Sequence, residues 1–212
     1  MRIDHFRGFD RYFSIPQNAQ TAREGEWKDG PKEALFEDMK NLPIVAEDLG
    51  VIDEGVLRLM KNVGYPGMRV LEFAFDGNAD NTNKPSNSPE NSVAYTGTHD
   101  NTPFAAYVRS LPESEKQRFV RDFRGECKKF GVDSAAVTPE EYCAEAVRLA
   151  FASPSYLCVA PLHDLLALGE EARINAPSTL STKNWSFRYP KAQLLSPEVK
   201  ETLLRLTFEY RR

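Results

Sequence analysis

Hydrophobic and polar positions along the chain switch between two periods. Residues Arg2 to Phe6 alternate charged and apolar side chains, the two-residue period of a short strand. Ile44-Val45-Ala46 is apolar without alternation, the pattern of a strand buried on both faces, and it stops at Glu47, Asp48 and Gly50. Gly67 to Phe75, Val93 to Asp100 and Tyr156 to Pro161 read as three further strands. Helical spacing falls between them. Pro31 opens a helix to about Lys40 with Leu35, Phe36 and Met39 as its apolar stripe. Asp53 caps a second helix that ends near Gly64. Further helices are expected over Pro103–Ser110, Ser114–Phe130 and Leu165–Ala172, and from Ser196 onward. Another starts at Thr138, with Pro139 in its first turn and Glu141 completing a capping box. Phe9 to Gly30 has little periodicity. Asp76 to Ser92 is rich in Asn, Asp, Ser and Pro, the composition of a long surface loop of the kind that often serves as a functional lid. The segment before Gln193 is irregular.

Strands alternating with helices predict a parallel α/β arrangement, in which a site lies at the carboxyl ends of the strands. Three of the five strand ends carry acids: Asp4 with His5, Glu47 with Asp48, and Asp100 with His99. One such acid is unremarkable. Three of them crowd negative charge in one place, which costs folding energy unless a function uses it. Arg2 and Asp4 fall on one face of the first strand. They read either as an ordinary surface ion pair or as an oriented carboxylate held ionised beside a guanidinium. No repeat or low-complexity linker interrupts the chain, so residues 1–212 are expected to lie in one domain.

Composition narrows the class. The chain has 212 residues, 41% hydrophobic and 27% charged, enough for a sizeable core. A net charge of -4 gives no basic excess for nucleic acid. No apolar run reaches the span of a membrane helix, and the N-terminus is charged rather than a signal-peptide core. Cys127, Cys143 and Cys158 are at no metal-like spacing and read as reduced thiols, which points to the cytoplasm. The 11% of aromatic residues suits rings stacked on sugar faces, although core packing accounts for most of it.

Three stretches resemble one family. They are Arg2-Ile3-Asp4-His5-Phe6-Arg7-Gly8, Ala46-Glu47-Asp48-Leu49-Gly50 and Tyr95-Thr96-Gly97-Thr98-His99-Asp100-Asn101. In this order they closely resemble the amylomaltases, the 4-α-glucanotransferases of the α-amylase clan. Gly67 to Asp76 is similar to that family's sixth barrel strand, and Asp164 to Trp185 is similar to its C-terminal region. The resemblance implies a retaining transfer of α-1,4-glucan segments between maltodextrins, with no metal or organic cofactor. It makes Asp4 the nucleophile, Glu47 the general acid/base and Asp100 the residue that braces the sugar in the transition state. Arg2, as the charge partner of Asp4, and Asp48, Phe73, His99, Asn175 and Asn184 are implied as substrate-binding. Other readings stand beside these: Asp48 as a loop cap, Phe73 as core, Asn175 and Asn184 as loop formers, and His5 as a structural histidine.

The resemblance also implies a TIM (β/α)8-type barrel, here incomplete, with strands four to eight and their helices. Two motifs depart from the family. Pro85-Ser86-Asn87-Ser88-Pro89 replaces a run that carries His and Tyr, and Pro177-Ser178-Thr179 replaces Pro-Gly-Thr. Family members are longer chains, so this one reads as their C-terminal part. Five strands cannot close a barrel of eight. Bare edges and apolar faces then imply self-association and weak activity of the chain alone. Two rivals remain at this level: a catalytically silent, glucan-binding or self-associating fragment, and an α-glucan hydrolase of the same clan.

Overall fold

The computed structural model describes residues 1–194 and 196–212. The fold is α/β, in two compact units, Met1–Met68 and Arg69–Arg212.

In the first unit, β1 (Arg2–Ile3) pairs in parallel with β4 (Val45–Ala46). β1 is shorter than the alternating run suggests. His5 takes a left-handed φ of 48°, and the chain then turns into a 3-10 helix over Phe6–Phe9. Phe6 explains the turn: it is fully buried, its ring 5.4 Å from that of Phe36, in a cluster with Phe9 and Tyr65. Burying such a ring far outweighs the loss of one more ladder position. The expected helix after Pro31 is a 3-10 helix, Lys32–Met39, which buries Phe36. Between Phe9 and Gly30, where little periodicity is visible, β2 (Arg11–Ser14) and β3 (Glu26–Asp29) form an antiparallel hairpin. The sheets are therefore not all parallel. This hairpin is almost wholly exposed, so its sequence lacks the apolar alternation of a half-buried strand.

α1 (Glu54–Val63) follows its signals closely. The Asp53 carboxylate accepts from the Gly55 and Val56 amides at 3.0 and 3.2 Å, and Gly64 ends the helix at φ 76°. Val56, Leu59 and Val63 form its buried face.

The boundary between the units passes through β5 (Gly67–Val70). The strand does not run on to Phe75 as the apolar pattern predicts. It gives way to a 3-10 helix, Leu71–Phe73, and leaves Phe73 on the surface. β6 (Ser92–Tyr95) also ends early, five residues before Asp100, and pairs in parallel with β7 (Leu157–Val159) in a sheet of order β5–β6–β7. Backbone pairing continues past both strands, the Glu72 amide donating to Thr96 O at 3.2 Å.

The core of the second unit is aromatic. Phe104 from α2 (Phe104–Ser110), Phe119 and Phe123 from α3 (Glu113–Lys129), and Tyr142 from α4 (Pro139–Ala152) enclose Phe75. The rings of Phe75 and Phe123 lie 5.0 Å apart, edge to face. The capping box forms, with Thr138 and Glu141 each accepting the other's backbone N–H. The expected helix over Leu165–Ala172 is instead a short α5 (Leu162–Leu165) and a 3-10 turn, Glu170–Ala172. α6 (Pro197–Tyr210) packs Leu206 against Val147 and Phe151 of α4.

The loop from Asp76 to Ser92 is held in place. Asn81 Nδ2 donates to the Phe73 carbonyl at 2.7 Å, and Asn83 Oδ1 accepts from the Val70 amide at 3.0 Å. Buried Glu126 receives both the amide and the hydroxyl of Ser86 at 2.9 Å. Among the described residues no helix is long and apolar enough to cross a membrane.

One glycine is demanded by close approach. A Cβ on Gly67 would lie 2.3 Å from Asp48 Oδ2, whose partner oxygen accepts from the Met68 amide at 2.6 Å. Gly67→Ala is expected to destabilise the fold by about 1–3 kcal/mol, the cost of an overpacked site. Urea unfolding should show it, and an unchanged midpoint would mean that Asp48 is free to move.

Candidate active site

Parallel pairing of β1 and β4 settles how the first two acids leave the sheet. Arg2 lies opposite Val45 and Ile3 opposite Ala46, so Asp4 and Glu47 emerge from the same end at the same level. The Glu47 amide donates to Ile3 O at 2.9 Å, and the Phe6 amide donates back to Glu47 O at 3.0 Å. These bonds carry the pairing one residue past the strands. The Glu47 carboxylate is held at both oxygens: Oε2 accepts from the His5 amide at 2.7 Å and Oε1 from the Leu49 amide at 2.8 Å. The left-handed turn at His5 is what aims that amide at Glu47. Asp4 has the opposite surroundings. Its side chain is 75% exposed and bonded to Arg2 Nη2 at 2.5 Å, so one oxygen is anchored and the other faces solvent. Arg7 locks the next turn, donating to Val51 O and Asp53 while its guanidinium lies 4.8 Å over the Trp27 ring. Asp48 ties the end of β4 to Met68, a structural bond.

In the second unit Asp100 lies on a turn rather than at a strand end. Asn101 Oδ1 accepts from the Thr98 amide at 2.9 Å and the Thr98 hydroxyl at 2.7 Å, which closes the turn from Thr98 to Asn101. Asp100 Oδ1 accepts from Asn175 Nδ2 at 2.6 Å and faces His99 Nε2 at 3.4 Å. The Asn175 amide donates to His99 O at 3.0 Å, so the two segments are bonded twice. His99 and Asn175, both implied by the resemblance, are therefore brought together with Asp100. Asn184 serves its own loop, bonding Ala176 N, Thr179 O and the Thr179 hydroxyl, and it lines an open cleft of about 710 Å³ that Asn175 also lines. Phe73 is 44% exposed and lines a separate recess with Glu72 and Tyr107.

Three residues of this site lie in stretches that resemble the family, yet no motif singles them out. Trp185 sets its ring 5.1 Å from that of His99. Arg173 donates to Asp100 O and Asn175 O. Glu72 is half-buried by the turn, with its Oε2 fully covered, and burial lifts its pKa to about 7 against the opposing hydrogen bond from Asn101. Its signal in the sequence is plain in retrospect: a single acid inside the apolar run from Val70 to Phe75. Behind it, burial raises the pKa of Asp164 and lowers that of the adjoining His163. Cys127 and Cys158, pushed up to about 12 by burial, are thiols of the interior.

The sequence profile of the 4-alpha-glucanotransferase family matches residues 1–194. A 4-alpha-glucanotransferase of Streptococcus pneumoniae is 40% identical over 216 residues, covering 100% of this chain and 40% of the relative. One from Clostridium butyricum is 38% identical over 218 residues, covering 100% and 42%. The solved amylomaltase of Streptococcus agalactiae in complex with acarbose superimposes with a TM-score of 0.85 at 33% identity, over 100% of this chain and 41% of that one. The chain thus spans about two fifths of the length of the curated relatives it matches. On the match over residues 1–194, the chain belongs to the 4-alpha-glucanotransferase family.

Proposed function

We propose that this chain carries the reacting carboxyls of a retaining 4-α-glucanotransferase, which moves α-1,4-glucan segments between maltodextrins. The observation that supports the reading is the parallel register of β1 and β4, from whose shared end Asp4 and Glu47 follow at the same level. In this reading both compact units belong to one catalytic domain of TIM (β/α)8 type, with β1, β4, β5, β6 and β7 as its strands four to eight. The free thiols fit a cytoplasmic enzyme.

The chemistry follows from the surroundings of each acid. Asp4, anchored at one oxygen by Arg2, attacks the anomeric carbon with the other, and the glycosidic bond breaks as the sugar–aspartyl ester forms. Glu47 gives its proton to the departing glucan oxygen. To do so it must release one of its two backbone amides, and the amide of His5, held by a left-handed turn, is the more strained of the pair. A second glucan's hydroxyl then passes its proton to Glu47 and displaces Asp4. Asp100, braced by Asn175 and His99, holds the sugar hydroxyls as charge develops at the ring. Trp185 offers an aromatic face beside them. Neither step requires a cofactor. Water competes with sugar for the ester, so the same residues would support hydrolysis to the extent that water reaches it.

Asp4→Asn should abolish maltotriose disproportionation and leave the far-ultraviolet circular dichroism unchanged, because the amide cannot form the ester. Glu47→Gln should slow transfer by about 10²–10⁴-fold, least for donors with good leaving groups. Near-normal production of glucose and longer maltodextrins by either variant would remove that residue from the mechanism. The 212 residues alone are expected to transfer poorly and to associate. Phe208 is 89% exposed and Leu204 72%, both on α6, an apolar surface that seeks cover. Light scattering well above 24.0 kDa would bear this out, whereas an active monodisperse monomer would refute it.

A further inference from the structure

We propose that Glu72 is a positioning residue for Asp100, acting through Asn101 and Arg173 on the turn that presents Asp100 and His99. The proposal rests on the reading of Asp100 as the brace of the reacting sugar and extends it to the layer beneath.

Glu72 follows β5, and its amide donates to Thr96 O at 3.2 Å, which seats its side chain under the Thr98–Asn101 turn. One carboxyl oxygen, Oε2, is buried with no hydrogen-bond partner among the described residues. The Asn101 side chain bonds the carboxyl, and the same side chain closes the turn on Thr98. Asn101 is thus shared between a titratable group and the backbone that carries Asp100. On the other flank Arg173 feels the Glu72 charge while it donates to the carbonyls of Asp100 and Asn175 at 3.3 and 3.1 Å. A buried carboxylate with an idle oxygen pulls on both neighbours. Protonated, it loses its attraction for Arg173 and holds Asn101 only by a weaker neutral hydrogen bond, so both side chains bear more fully on the turn.

Charged and titratable groups face Glu72 from several elements. Asp164 from α5 faces it across Gly97 and repels its charge, as does Glu170, whereas Arg173 attracts it. Tyr107 from α2 stays neutral, pushed up to about 12. Asp76, Glu115 and Arg118 share the recess that Glu72 lines. His163 adjoins Asp164, and His99 is on the turn itself. Burial sets the Glu72 pKa near 7, so its charge changes within the neutral range. The sign is that of a raised acid. Ionisation works against the folded arrangement, and the supporting state is lost as pH rises through about 7.

The decisive measurement needs no activity. The chain, labelled with 13C at glutamate carboxyls and 15N at amides, is titrated by NMR from acid to alkaline pH. Glu72 should titrate with a midpoint near 7, and the amides of His99, Asp100 and Asn101 should move with it. Both movements should vanish in Glu72→Gln, which keeps the Asn101 bond without the charge. A Glu72 midpoint in the ordinary carboxylate range, or still amides, overturns the proposal. Amide movement that persists in Glu72→Gln belongs to another group and overturns the proposal equally. In disproportionation assays, Glu72→Gln should lose an inflection near pH 7 in kcat, and Glu72→Ala should lower kcat about ten- to a hundredfold with little change in KM. With the NMR result intact, near-normal transfer by Asp4→Asn would count against the transferase reading alone.

Discussion

Two backbone hydrogen bonds set the placement of the first pair of acids. The Glu47 amide on Ile3 O and the Phe6 amide on Glu47 O extend the β1–β4 ladder past the strands and fix its register. Side chains in a strand alternate between faces, so a slip of one residue would send Asp4 and Glu47 to opposite sides. Phe6 is the counterweight: its ring can sit among Phe9, Phe36 and Tyr65 only with the chain turned at His5. Core packing and acid placement in this unit are thus one event. The same turn points the His5 amide at Glu47, so a histidine in a catalytic-looking motif contributes its backbone.

In the second unit the governing constraint is polar. Asn101 accepts from the Thr98 amide, Arg173 donates to Asp100 O and Asn175 Nδ2 donates to the Asp100 carboxylate, and these bonds hold the turn. Beneath it Asp164 accepts from the Thr96 hydroxyl at 2.5 Å and the Phe104 amide at 2.8 Å, which ties β6 to the start of α2. Glu72 beside it keeps one buried oxygen without a hydrogen-bond partner among the described residues.

Much of this is legible from the residues, and the failures share a physical reason. Caps and apolar stripes are local, so α1 with Asp53 and Gly64, and α4 with Thr138 and Glu141, stand where their signals put them. Strand lengths are not local. Gly67 to Phe75 reads as a single apolar strand because composition cannot tell a ladder from a 3-10 turn that buries Leu71 and exposes Phe73. The hairpin of β2 and β3 is hidden because exposed strands need no apolar alternation. In the candidate site, motifs single out Asp4, Glu47 and Asp100 as side chains, and the backbone groups that hold them carry no such signal. Arg173 acts through backbone carbonyls, whose positions no side-chain pattern records.

The loop from Asp76 to Ser92 has the composition of a mobile lid, yet its asparagines are spent on its own backbone and on the ends of β5. Asp122 receives the Gly77 amide at 2.7 Å, and Glu126 receives Ser86. Ordering such a segment costs about 1–2 kcal/mol of backbone entropy per residue, and here that cost falls on folding rather than on each encounter with a ligand. A molecule that touches this loop meets a wall already set. Its residence time is then governed by the contacts it makes, without a disorder-to-order step to reverse when it leaves.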